Sequence, residues 1–161
     1  MKLTTRGRYG LRALIDLALN QEKGAVSTQS IAIRQNISES YLEQLIRMMK
    51  KGGLVTSVRG AGGGFRLSRP AEEISVGDIL RCLEGSLEAV ECPAIVGDDC
   101  SEAEACVTKL VWKRINDAIA NAVDSIRLSE LVEESRKLGG KSNAEIIRQM
   151  QSMGTEVEQE L

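Results

Sequence analysis

The sequence predicts a mainly α-helical fold: a winged helix-turn-helix followed by a long C-terminal dimerisation helix. Two N-terminal observations predict the first part, namely three segments with helical apolar spacing and then two short strand-like segments joined by glycines. A third observation predicts the second part, because apolar residues recur at three-and-four spacing over residues 107–126. The 161 residues suffice for one domain, or for a small domain with an oligomerisation arm.

Residues 1–70 are predicted to form the winged helix-turn-helix domain. The first helix is expected over residues 5–20, and the second over about 28–35, after Ser27 as its N-cap. Ser38 is expected to cap a third helix that ends at about Lys51, where two glycines follow. The helix-turn-helix thus covers about 28–51. The strand-like residues 54–58 and 65–67 form a wing, about 54–68, with residues 59–64 at its tip.

The remaining residues are predicted to form a linker, a sensor loop and a dimerisation unit. Residues 71–106 contain a linker helix, about 76–84, and a cysteine-containing sensor loop. Residues 107–137 are assigned to the dimerisation helices. The long helix is expected over about 102–126, so that it overlaps the end of the sensor loop, and the short helix over 128–137. Residues 138–161 are expected to form a flexible tail. The long helix carries an apolar stripe: Val107, Leu110, Val111, Ile115, Ala118, Ile119, Ala122 and Ile126. We interpret the stripe as the seam of a symmetric homodimer, with an intramolecular core stripe as the alternative.

Composition excludes several classes of protein. The sequence contains no histidine, which excludes a Ser–His or Cys–His nucleophile pair and every zinc site that needs a histidine ligand. No apolar run approaches the roughly 18–20 residues of a membrane helix, and the N-terminus lacks the features of a secretory signal. We therefore expect a cytoplasmic protein with no membrane partner.

Charge is divided unevenly along the chain. Residues 1–70 carry 12 Lys and Arg against 4 Asp and Glu, a net charge of +8. Residues 71–161 carry 9 against 19, a net charge of −10, so the whole chain is close to neutral at −2. A basic domain joined to an acidic one indicates that the first 70 residues meet a polyanion. Together with the predicted winged helix-turn-helix, this favours double-stranded DNA as the partner. The residues expected to neutralise phosphates are Lys2, Arg6, Arg8, Arg12, Arg66 and Arg69.

The third helix and the wing carry the candidate DNA-binding residues. At about 100° per residue, the polar side chains of the third helix fall on one narrow face. Arg, Gln and Glu on such a face can read base edges in a major groove, and an arginine beside glycines can enter a minor groove. The candidates are Ser38, Ser40, Tyr41, Glu43, Gln44, Arg47, Arg59 and Gly60. Taken singly, these features could also be a solvated helix face and a flexible turn.

Three stretches of the chain resemble the iron–sulfur cluster regulator (IscR-type) family of winged helix-turn-helix transcription factors. They are MKLTTRGRYGLRALIDLALN, SESYLEQLIRMMKKGGLVTSVRGAGGGFRLSRP and ISVGDILRCLEG, and the resemblance runs from Met1 to about Glu134. It implies a bacterial, homodimeric transcription factor, and a twofold dimer in turn predicts a near-palindromic operator. In the cluster-binding members, three cysteines ahead of the long helix hold an iron–sulfur cluster, with [2Fe–2S] favoured here by the resemblance. Other members lack those cysteines.

This chain has three cysteines in the corresponding region, Cys92, Cys100 and Cys106, in the pattern C-x7-C-x5-C. The usual family pattern is C-x5-C-x5-C, so the first gap is two residues longer here. Thiolates are the standard ligands of iron–sulfur clusters, and cytosolic cysteines grouped on a loop are more often metal ligands or redox thiols than disulfides. Lys109 stands where the resemblance places a histidine as fourth ligand. Nearby candidates for that role are Asp98, Asp99, Glu102, Glu104 and Cys82.

The residues and the resemblance together predict a homodimeric DNA-binding transcriptional regulator. It would sense an iron–sulfur cluster and control iron–sulfur cluster biogenesis genes. The main alternative is the same DNA-binding fold sensing thiol oxidation, nitric oxide or a sulfur metabolite without a stable cluster. Another alternative is a cluster carrier whose basic domain meets a different anionic partner. An enzyme is the least favoured reading, because no convergent acid–base pair is found.

Overall fold

The computed structural model describes residues 3–90, 92, 95 and 106–139. The helices are α1 (Thr5–Asn20), α2 (Thr28–Gln35), α3 (Glu39–Lys51), α4 (Val76–Glu84), α5 (Thr108–Ser125) and α6 (Leu128–Lys137). The strands are β1 (Val55–Val58) and β2 (Gly64–Leu67), and short 3-10 turns cover Gln21–Lys23 and Ala71–Glu73. The predicted mainly α-helical fold is confirmed, and the helices and the hairpin come in the predicted order.

Parts of the predictions lie outside the described residues. The long helix is predicted from about residue 102, but it begins at Thr108, because the described residues Cys106 and Val107 are not helical; residues 102–105 lie outside the described residues. The predicted sensor loop is described at residues 85–90, 92, 95 and 106, so Cys100 is outside the described residues. Of the predicted tail, only Leu138 and Gly139 are described, and they form a turn after α6.

Side-chain caps define the start of several helices. The Ser27 hydroxyl accepts a hydrogen bond from the backbone N–H of Ser30 at 3.1 Å, as expected for the cap of α2. Ser75 and Asp78 form a reciprocal capping box at the start of α4. Ser38 occupies the predicted N-cap position of α3, but its side chain makes no capping hydrogen bond. It is exposed, so water can satisfy the N–H groups at this end of α3.

The core is aliphatic, as the scarcity of aromatic residues requires. It joins the inner faces of α1, α2, α3, α4 and α6, and its fully buried side chains include Leu14, Leu42, Leu45 and Met49. One charged group lies within this packing. The buried Asp16 carboxylate accepts hydrogen bonds from the Arg34 guanidinium at 2.6 Å and the Gln35 amide at 2.8 Å. These bonds fix α1 against α2, because a buried charge must be paired.

The wing is a two-stranded antiparallel hairpin that also contacts the segment before α2. Val55 pairs with Leu67, and Val58 pairs with Gly64 at the far end. Val26 and Phe65 exchange two backbone hydrogen bonds of 2.9 and 2.8 Å. A Cβ atom on Gly64 would lie 2.5 Å from the Val26 carbonyl oxygen, so this close approach needs glycine. The wing is therefore fixed to the domain through β2, near the tip end of the hairpin.

Helix α5 packs against α4 and the segment that follows it. Its Ile119 and Val123 pack against a small cluster formed by Val76, Leu80 and Leu87. Ile119 is included in the predicted dimer seam, but it is partly buried within the protomer because it faces α4. The other large apolar side chains of the stripe are exposed, namely Val107, Leu110, Val111, Ile115 and Ile126. No helix in the described part of the chain is long and apolar enough to cross a bilayer.

Candidate nucleic-acid interface and sensor loop

The polar face of α3 lies where the sequence predicts it. Leu42, Leu45, Ile46 and Met49 are buried against the core, and the opposite face is open to solvent. The exposed residues of that face are Ser40, Glu43, Gln44 and Arg47. They follow one another along the helix at the spacing needed to meet successive base edges in a major groove.

Tyr41 takes a different position from the other candidates, because it is half-buried at the junction of α3 with α1. Its ring meets the Tyr9 ring edge-on, with centroids 6.0 Å apart. Its hydroxyl lies 3.3 Å from Thr5 Oγ1. Tyr41 therefore holds the first turn of α1 beside the N-terminal end of α3, where the exposed Ser38 also lies.

A groove of about 380 Å³ separates α3 from the wing. Its lining residues are Thr28, Glu43, Ile46, Arg47, Lys50, Ser57 and Phe65. Lys50 Nζ donates a hydrogen bond to Ser57 Oγ at 3.0 Å across the groove, which joins α3 to β1. The groove thus places Glu43 and Arg47 next to the wing, in a lining that also contains the apolar side chains of Ile46 and Phe65.

The wing tip has the predicted exposed arginine and a backbone that only glycine allows. Arg59 and Gly60 are exposed, and Gly60 and Gly62 have φ values of +107° and +87°. A Cβ atom on Gly63 would lie 2.6 Å from the Val58 carbonyl oxygen. The tip can therefore approach a surface with backbone and with the Arg59 side chain.

Some residues expected to neutralise phosphates have partners within the protein instead. Arg12 donates to the Gln35 carbonyl oxygen at 2.5 Å and lies over the Tyr9 ring. Arg69 pairs with Asp78 at 3.1 Å. The half-buried Arg12 guanidinium joins α1 to α2. Arg8 and Arg66 are exposed, as are Arg47 and Arg59.

The sensor loop approaches α5 at both of its described ends. Cys92 and Cys106 are reduced and half-buried. Cys106 Sγ lies 3.1 Å from Thr108 Oγ1 at the start of α5, and Lys109 is half-buried in the next turn. Among the described residues, no group of three or more Cys, Asp or Glu side chains is close enough to hold a metal ion. The donor chemistry still suits an iron–sulfur cluster, because both described cysteines are thiols at the accessible edge of the fold.

Cys82 belongs to the packing rather than to the loop. Its thiol donates to the Met48 carbonyl oxygen at 3.4 Å, and a Cβ atom on Gly52 would lie 2.4 Å from its sulfur. Burial raises the pKa of the Cys82 thiol, so it stays protonated and weakly reactive at neutral pH.

Two residues that join distant segments of the chain are not indicated by any sequence pattern. Glu84 accepts hydrogen bonds from the backbone N–H groups of Thr4 and Gly7, both at 2.8 Å, and thereby joins α4 to α1. Asn116 binds residues 89 and 90 to α5. The partners of both residues lie 26 or more positions away in the chain, where no local pattern indicates them.

Comparison with known proteins decides the family. The sequence pattern of Rrf2, described as iron-dependent transcriptional regulators, matches residues 3–134. The chain belongs to the Rrf2 family. This Rrf2 protein is 41% identical to the HTH-type transcriptional regulator IscR of Escherichia coli K12 over 138 residues, which cover 86% of this chain and 84% of that protein. The IscR of Cronobacter sakazakii matches to the same extent.

Solved structures of Rrf2 proteins share the fold. CymR of B. subtilis superposes with a TM-score of 0.69 at 41% identity, over 83% of this chain and 98% of that one. T. potens IscR superposes with a TM-score of 0.67 at 44% identity, over 84% and 88%. The predicted winged helix fold and the predicted IscR-type resemblance are confirmed. Since its relatives are named as transcriptional regulators, this Rrf2 protein is an IscR-like helix-turn-helix transcriptional regulator rather than an enzyme.

Proposed function

We propose that this Rrf2 protein is a homodimeric regulator whose DNA affinity depends on an iron–sulfur cluster. Cys92, Cys100 and Cys106 would hold the cluster, and the controlled genes would be those of iron–sulfur cluster biogenesis. The observation that carries the proposal is a 41% identity to IscR in a chain that has three cysteines ahead of α5. The exposed polar face of α3 supports the DNA-binding half of the proposal.

The DNA contacts follow from the chemistry of the exposed side chains. Arg47 suits guanine, Gln44 suits adenine and Glu43 suits the amino group of cytosine. Ser38, Ser40 and Tyr41 at the N-terminal end of α3 would contact phosphates or bases. Arg59 and Gly60 at the wing tip would enter an adjacent minor groove. Two such domains in a twofold dimer would read a near-palindromic operator with half-sites about one DNA turn apart.

The sensor loop supplies three cysteines ahead of α5, and Cys106 lies next to the first residue of that helix. Three thiolates would come from the cysteines, and the fourth ligand is left open, because Lys109 stands where the resemblance places a histidine. A bound [2Fe–2S] cluster would be a group whose presence or absence reports the levels of iron and oxidant. The loop joins α4 to α5. A change in the arrangement of its cysteines would therefore change the position of the DNA-binding domain relative to α5.

A second function is favoured by a specific observation. Structures of CymR, described as the global cysteine regulator of B. subtilis, superpose on this chain, and one from Staphylococcus aureus is an oxidized form. By that analogy, the same fold would sense thiol oxidation, nitric oxide or a sulfur metabolite without a stable cluster. The two functions differ in whether iron is bound.

The test is made on full-length protein purified without oxygen. We expect visible charge-transfer absorption, with iron and sulfide, in the wild type and its loss in a Cys92/Cys100/Cys106 triple alanine variant. Cys82→Ala is the matched control and should keep the absorption, because Cys82 packs against α3. The affinity for one operator is measured for loaded and unloaded protein. Colourless protein that resists reconstitution would reject the cluster and favour the thiol or metabolite sensor.

A further inference from the structure

The segment that leads from α4 to Cys92 is fastened to the middle of α5. Asn116 Oδ1 accepts a hydrogen bond from the Ala89 backbone N–H at 2.9 Å, and Asn116 Nδ2 donates to the Val90 carbonyl oxygen at 3.2 Å. One amide side chain thus pairs with a donor and an acceptor of adjoining backbone, as a neighbouring strand would. Asn116 is half-buried, so both bonds are partly shielded from water.

The positions of both described cysteines of the sensor loop are therefore limited relative to α5. Cys106 lies two residues before the helix, in contact with Thr108. Cys92 follows Val90 by two residues, which limits its Cα to about 7 Å from that anchored residue. Cys106 and Asn116 are ten positions apart, about 15 Å along the axis if the helical rise is extended to Cys106. The two ends of the loop start from fixed points on one rigid element.

We propose that Asn116 is a positioning residue for the sensor loop. It holds residues 89 and 90 on α5 and so sets where Cys92 stands relative to Cys106. The purpose of this anchor rests on the proposed function, because a cluster needs its thiolates at defined separations. The anchor itself can be tested without any metal, since a detached segment exposes Cys92 more than an attached one.

The first experiment measures how fast each thiol of the cluster-free, full-length protein reacts with iodoacetamide, resolved by mass spectrometry. Asn116→Ala removes both hydrogen bonds, which raises the population of the detached segment roughly tenfold. We expect Cys92 to react faster by about that factor, while Cys82 and Cys106 keep their rates. Asn116→Asp keeps the acceptor for Ala89 and should give an intermediate rate.

The matched control is Asp117→Asn, which changes an exposed neighbour on the same helix. It should leave all three rates unchanged. An unchanged Cys92 rate in Asn116→Ala would overturn the proposal. An equal acceleration of all three thiols would also overturn it, because that result indicates general loosening rather than the loss of a local anchor.

A second experiment separates this inference from the proposed function. Iron and sulfide are supplied without oxygen, and the decay of visible absorption is followed after addition of a chelator. We expect the absorption of Asn116→Ala to decay severalfold faster than that of wild type and of Asp117→Asn. Equal decay would overturn the positioning role. If the wild type takes up no iron, the proposed function fails, and the alkylation rates still decide whether Asn116 anchors the loop.

Discussion

The side chain of Glu84, in α4, caps the N-terminal end of α1, which is distant in the sequence. Helix α1 has no acidic residue in its first turn and carries Arg6 there, which opposes the helix dipole. The Glu84 carboxylate supplies the missing negative charge and accepts the N–H groups of Thr4 and Gly7. Burial alone would raise the pKa of Glu84, but the hydrogen bonds from Thr4 and Gly7 and the charge of Arg6 outweigh it and lower the pKa. The ionised form is therefore the stabilising one.

At this residue we predict an acid-dependent loss of stability. Because folding lowers the pKa of Glu84, its contribution is complete above the unfolded value near 4.5 and disappears as the pH falls through the folded value. Glu84→Gln should cost about 1–2 kcal/mol of unfolding free energy at pH 7, on the scale of hydrogen bonds to a charged group. The difference from wild type should shrink below about pH 4.

Urea unfolding at a series of pH values measures this difference. The control is Glu88→Gln, which alters an exposed glutamate in the nearby segment and should shift stability little at any pH. A Glu84→Gln cost that is the same at pH 7 and pH 3.5 would show that the charge of Glu84 is not the cause.

We expect helix α3 to combine side chains that attract DNA with one that repels it. Arg47 and Gln44 are exposed beside Glu43, and the Glu43 carboxylate has no ion-pair partner among the described residues. It also lines the groove between α3 and the wing. A carboxylate at a DNA-facing surface repels phosphates and is tolerated where a base offers a donor. We therefore expect Glu43 to add selectivity by lowering the affinity of α3 for sites that lack a suitable donor.

We predict that Glu43→Ala broadens the set of operators bound. Affinity for sites without a suitable cytosine should rise by about tenfold, the lower end of what one base contact discriminates, while affinity for the best site changes less. Fluorescence anisotropy on a panel of operators at fixed salt gives the comparison. Glu39→Ala, at the start of the same helix, is the control for removing one negative charge. Unchanged relative affinities across the panel would contradict the role given to Glu43.

At the element scale, local patterns predict most of the fold and only part of the site. The period of Leu42, Leu45 and Met49 predicts both the buried and the exposed face of α3, because burial in a helix repeats with its turn. Contacts between distant segments leave no such period. Asn116 and Glu84 act on backbone far along the chain, so their roles require the folded arrangement. Cys100 lies outside the described residues, and the ligand set therefore stays a prediction.

At the scale of the whole molecule, several large apolar side chains on and beside α5 are exposed within the described part of the chain. Val111 and Ile115 on α5 and Ile126 just after it are exposed, and Val107 just before the helix is 75% exposed. Ile119 and Val123 occupy the side that packs on the protomer. We expect these exposed apolar side chains to contact a second copy of the helix. The dimer would set the distance between the two DNA-binding domains.

The last prediction tests that assembly through its effect on DNA. Ile115→Glu places a charge in the centre of the apolar face, so we expect monomers by sedimentation at micromolar concentration. DNA affinity for a two-half-site operator should fall by about 100-fold, because two linked domains bind with an avidity that single ones lack. Lys113→Glu introduces the same side chain on the opposite face and breaks only an exposed pair with Asp117, so it should remain dimeric. A dimeric Ile115→Glu with wild-type affinity would show that the seam lies elsewhere.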